Sequence, residues 1–142
     1  MKFEHTLNNA FSVVTLPGLC VMKLTSWSLR PDWRAKDLND FWYLLENFSD
    51  IDSELIFWDD FVDLLDVEPF DLKISFAQVL GRQMQSILKQ EEALSRYIQQ
   101  ALEQLLEGFS RKDILELYQA EPNDQKIKRW RLVLAVIDGI AR

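Results

Sequence analysis

The chain has one histidine and one cysteine in 142 residues, and each scarcity excludes a class of chemistry. His5 alone cannot build a histidine metal cluster, nor serve a Ser-His-Asp triad formed wholly within this chain in so polar a segment. Cys20 alone permits no internal disulfide, which suits a reducing compartment. It reads as a small core residue, since no neighbour in sequence would activate its thiol. No CxxC, no HExxH and no Gly-rich phosphate-cradling loop occurs. Four glycines and four prolines are too few for an all-β fold with many tight turns. No run approaches the roughly 18 apolar residues that a membrane span requires. The opening MKFEHTLNNA has no apolar stretch of the kind a signal peptide needs, so a cytoplasmic location without membrane partners is expected. Between positions 37 and 72 there is no lysine or arginine at all, against twelve Asp or Glu.

What is present is a large apolar complement. Hydrophobic residues make up 48% of the chain, with five Trp and nine Phe, enough for a well-packed core in one domain. The net charge of −7 makes direct nucleic-acid binding unexpected, because phosphate repulsion would have to be overcome locally. The acidic stretch admits three readings: a solvated face, a docking surface for a basic partner, or part of a metal site.

Apolar spacing predicts an all-α fold, a single-domain helical bundle of about five to seven helices behind a short N-terminal strand or extended lead-in over 1–15. The β-branched FSVVT ending at Thr15 is the strand candidate, and it needs a pairing partner such as a second copy of the chain. Pro17 stands in the first turn of helix one, where its missing N–H costs nothing. Leu19, Met22, Trp27 and Leu29 are its expected apolar positions, and Arg30-Pro31 is its end. Asp32 is positioned to cap helix two, whose stripe is Leu38, Phe41, Trp42, Leu45 and Phe48. Residues 16–48 form this helix pair and 49–142 the remaining bundle. A third helix is expected over 52–65, with Leu55, Trp58, Phe61, Val62 and Leu65 inward. A fourth spans 71–89 on Leu72, Phe76, Val79, Leu80 and Ile87, with Gly81 at its middle as a sign of close helix packing. A fifth covers 91–107 on Leu94, Tyr97, Ile98, Ala101 and Leu105, with Gly108 as its C-cap. A short helix capped by Ser110 and a last one from 125 to about 140 complete the chain.

Polar residues recur in one pattern that packing does not require. Lys23, Trp27 and Arg30 follow i, i+4, i+7 spacing on helix one. Asp37 and Asp40, with Lys36 beside them, share a face at the start of helix two. Two neighbouring helices can therefore aim cations and carboxylates into one space. Lys23 and Arg30 can hold phosphate, with Asp37 and Asp40 orienting them. Equally, Lys23, Arg30, Lys36, Asp37 and Asp40 can form a salt-bridge network that only joins the helices.

The segments LPGLCVMKLTSWSLR and AKDLND, behind a valine-rich strand, resemble part of the bacterial nucleotidyltransferase family that includes the toxins of type IV abortive-infection systems. The resemblance covers about residues 10–48, and LGRQM at 80–84 is weakly similar to a later helix of the same proteins. It implies a nucleotidyltransferase core followed by a helical C-terminal half, with a Gly-Ser turn and an Asp-x-Asp pair holding a divalent metal. Neither element precedes Leu16, and pairs such as Asp59-Asp60 have no strand context to replace them. The resemblance thus identifies this chain with the helical portion alone, lacking the catalytic core and inactive by itself. It implies nucleotide or phosphate contacts at Lys23, Arg30, Lys36, Asp37 and Asp40, and no cofactor in this chain alone. Mg2+ and a nucleoside triphosphate would come with a catalytic partner chain, the other partner expectation being a homodimer. The alternative is a non-catalytic helical interaction domain.

Overall fold

The computed structural model describes residues 15–109 and 125–141. They form an all-helical bundle: α1 (Leu16–Leu29), α2 (Ala35–Ile51), α3 (Leu72–Leu88), α4 (Glu92–Glu107) and α5 (Gln125–Ala141), with no strand among them. The FSVVT strand up to Val14, the Ser110-capped helix and the Pro122 start lie outside the described residues.

α1 opens as its sequence dictates. Thr15 has extended backbone, its hydroxyl accepts from the Gly18 amide at 3.2 Å, and Pro17 occupies the first turn. Pro31 stops the helix, leaving Arg30 as C-cap. The face that enters the core is Cys20, Val21, Leu24 and Trp27, whereas Met22 and Leu29, apolar positions of the same helix, are exposed. α1 is apolar nearly all round, so its composition alone does not select a face.

Asp32 does not cap α2. The turn after Pro31 is closed by the Trp33 and Arg34 amides donating to the Arg30 carbonyl at 3.1 and 3.0 Å, and α2 starts only at Ala35 with Arg34 as an N-cap that makes no side-chain bond. Asp37 in the first turn supplies the negative charge that a helix N-terminus favours. The buried stripe of α2 is Phe41, Trp42, Leu45 and Phe48, as its period requires.

The third helix expected over 52–65 does not form. Two 3-10 turns stand there, Leu55–Phe57 and Val62–Asp66. Aspartate is a poor helix former, and a continuous helix would set Asp50 over Glu54 and Asp59 over Asp63 with no lysine or arginine in the same segment to relieve the repulsion. Leu55, Ile56, Phe61 and Leu64 still reach the core, but Trp58 and Val62 are exposed rather than inward. Leu72 and Tyr97 are exposed likewise.

α3 is the hub, touching α1, α2, α4, α5 and the first 3-10 turn. The Asp71 side chain caps it by accepting from the Ile74 amide at 3.0 Å. Phe48 of α2 meets Phe76 of α3 edge to face at 5.6 Å between centroids. Gly81 explains the closest crossing: a Cβ there would collide with the Val136 carbonyl, and one on Gly139 with the Gln78 carbonyl. Only hydrogen at both positions lets α3 and α5 approach this far. α4 lays Ile98, Ala101, Leu102 and Leu105 on the bundle and ends at Gly108. No helix of the described residues is long and apolar enough to cross a membrane.

Candidate functional site

α1 and α2 do bring charged groups together, but not all five expected ones. Lys23 projects from the middle of α1 towards the first turns of α2. Its Nζ donates to Asp40 Oδ2 at 2.8 Å and to Asp37 Oδ1 at 3.3 Å. The two aspartates sit three residues apart on one helix face, so a single ammonium bridges both. Asp37 is the deeper of the two. Its other oxygen, Oδ2, is buried without a hydrogen bond, and the Arg34 guanidinium stands off at 3.8 Å.

The electrostatics match this geometry. The hydrogen bond to Asp40, then that to Asp37, raises the Lys23 pKa above its ordinary value. The hydrogen bond from Lys23 lowers the Asp40 pKa, and the positive charges of Lys23 and Lys36 add to the effect. Lys36 itself is exposed. Arg30 is not part of the cluster: as C-cap it leaves the helical register, and its guanidinium lies over the Trp33 ring at 5.3 Å. Trp27 is in the core. One ammonium facing two carboxylates has no surplus positive charge to offer a phosphate. The cluster is a good interhelix clamp.

Cys20 is fully buried, and desolvation pushes its thiol up to about 12, far from thiolate chemistry. No three His, Cys, Asp or Glu side chains of the described residues cluster as metal ligands would.

Two further features stand out, the first not singled out from the sequence and the second lying in the acidic stretch whose readings included a docking surface. The first is a groove of about 800 Å3 between α2, the start of α3 and the first half of α5. Glu46 lies at its centre. Arg129 donates to Glu46 Oε1 at 3.0 and 3.2 Å and covers the Trp42 ring at 4.8 Å, while Gln125 donates to Oε2 at 2.8 Å. The Lys73 ammonium donates to the Glu46 carbonyl at 2.7 Å. The run KIKRWR, at 126–131, was the available signal.

The second is the connector between α2 and α3. It exposes Phe57 (65%), Trp58 (53%), Val62, Val67 and Phe70 within the lysine- and arginine-free stretch. Asp59, Asp66 and Glu68 make no ion pair within the described residues. Arg82 of α3 tethers the middle of the connector, with a two-pronged bond to Asp63 at 2.8 Å for each prong and a third to the Asp60 carbonyl at 2.8 Å.

Compared with known proteins, the chain matches no family model, no curated protein and no solved structure.

Proposed function

We propose that this chain is a helical docking module, the C-terminal helical part of a nucleotidyltransferase-like system, inactive alone and working by binding the chain that holds the catalytic core. The observation that carries this reading is the connector. Aromatic and aliphatic side chains that a monomer would normally bury stand in water there, beside Asp59, Asp66 and Glu68, which make no ion pair within the described residues. Such a surface fits a partner face that presents Lys or Arg among aliphatic side chains. The resemblance of residues 10–48 supports the choice of partner: a chain with the Gly-Ser turn and the Asp-x-Asp pair. Mg2+ and the nucleoside triphosphate belong to that partner's site. A phosphate contact at Lys23 is the weaker form of the proposal, because two carboxylates already take its hydrogen bonds.

The test is sedimentation velocity on this chain mixed with such a core chain from the same genome, followed by a nucleotide-transfer assay. The proposal expects a 1:1 complex that transfers nucleotide, and loss of both with Trp58→Asp. A complex that forms equally well with Trp58→Asp would refute the connector as its seat. A stable complex with no transfer would leave a purely structural interaction domain.

A further inference from the structure

The groove between α2 and α5 carries an imbalance that the bundle does not need. Its lining holds four cations, Lys73, Lys128, Arg129 and Arg131, against two carboxylates: Glu46, taken by Arg129 and Gln125, and Asp71, which caps α3 through a neutral amide. The cations are not matched in the same way. Lys73 donates only to an uncharged carbonyl, so its charge faces no carboxylate at bonding distance. Lys128 and Arg131 are exposed on the groove side of α5, three residues apart and on one face, and pair with no carboxylate of the described residues. Three cations that pair with no carboxylate of the described residues thus line one concavity in a chain whose net charge is −7. Packing alone favours dispersing them, since like charges at this spacing repel.

We infer that this groove binds a small, multiply charged oxyanion of the phosphate-ester or polyphosphate class, held by Lys73, Lys128 and Arg131. The volume of about 800 Å3 lies within the range of ligand pockets and accommodates a ligand larger than one phosphate. Arg131 can grip two oxygens of one group, and the lysines serve as point charges for the next. Arg129 is fixed over Trp42 by Glu46, which gives the floor of the groove a rigid edge. Tyr43, exposed at the rim, offers a ring face to an organic portion of the ligand. An extended polyanion is disfavoured, because beyond the groove it meets the acidic remainder of the chain. The site shares none of Lys23, Asp37 and Asp40, and it does not depend on the docking role of the connector.

Calorimetric titration of the full chain with inorganic tripolyphosphate at low salt tests the inference. We expect one tripolyphosphate per chain, and at least a tenfold loss of affinity in the double variant Lys128→Gln/Arg131→Gln. Both side chains are exposed, so the melting temperature of that variant should not change. Lys23→Ala and Trp58→Asp should bind as the parent chain does. No heat of binding, undiminished binding by the double variant, or tighter binding of a polyglutamate peptide than of tripolyphosphate would each overturn the inference.

Discussion

Gly81 of α3 and Gly139 of α5 meet backbone to backbone. A Cβ on Gly81 would lie 2.9 Å from the Gly139 Cα, and one on Gly139 would lie 3.0 Å from the Gly81 Cα. The nearest obstacles on both sides are main-chain carbonyls, which cannot rotate away as a side chain would. Intrinsic helix propensity alone would make alanine the better residue by about 1 kcal/mol.

The sign of a substitution there is therefore diagnostic. Gly139→Ala should destabilise the chain by roughly 2–3 kcal/mol, overpacking outweighing propensity. Urea unfolding monitored by circular dichroism measures it. A neutral or stabilising result would mean that α3 and α5 sit further apart.

The clamp between α1 and α2 predicts a pH profile. Lys23 has its pKa raised on folding, so its contribution is complete below about pH 10 and fades as pH rises through the folded value. Asp40 has its pKa lowered, so its contribution is present above about pH 4 and is lost as pH falls through the folded value. Lys23→Ala should cost on the order of 1 kcal/mol at neutral pH, chiefly by leaving the half-buried Asp37 without its cation. It should also flatten both limbs of the profile. Thermal melts from pH 3 to 11 on both proteins would show this, and parallel curves would rule out the clamp.

Arg82 ties the connector to α3, and its pKa is raised chiefly by the hydrogen bonds to Asp63. Arg82→Ala should cost roughly 1 kcal/mol, since Asp63 is largely exposed. Its more specific mark is faster amide exchange in residues 60–66, with α3 itself unchanged.

Cys20 should behave as a buried hydrophobe. With its thiol pushed up to about 12, an aromatic disulfide reagent at pH 8 should label it only at the rate of unfolding. Rapid labelling of the native chain would contradict the packing of α1.

The parts of this fold that were legible in the sequence are those where one force dominates. The stripe Phe41, Trp42, Leu45, Phe48 fixed α2, and Pro31 and Gly108 marked real ends. Gly81 announced a close crossing, although its partner Gly139 did not stand out, because only the tertiary fold opposes the two. The region 52–65 has the apolar content of a helix but also the charge density that prevents one. Spacing counts see the first and not the second. Lys23, Asp37 and Asp40 were legible because two short helical spacings across one turn suffice to join them. Arg30 was not, since the residue before proline leaves the register that the spacing assumed. The groove draws on Tyr43, Lys73 and Arg131, which no local pattern connects.

The measurement closest to the central claim is hydrogen exchange on this chain, free and mixed with a core chain bearing the Gly-Ser turn and the Asp-x-Asp pair. Docking through the connector predicts new protection confined to residues 51–72. Protection that appears instead around Lys23 and Asp40, with 51–72 exchanging as fast as in the free chain, would contradict it.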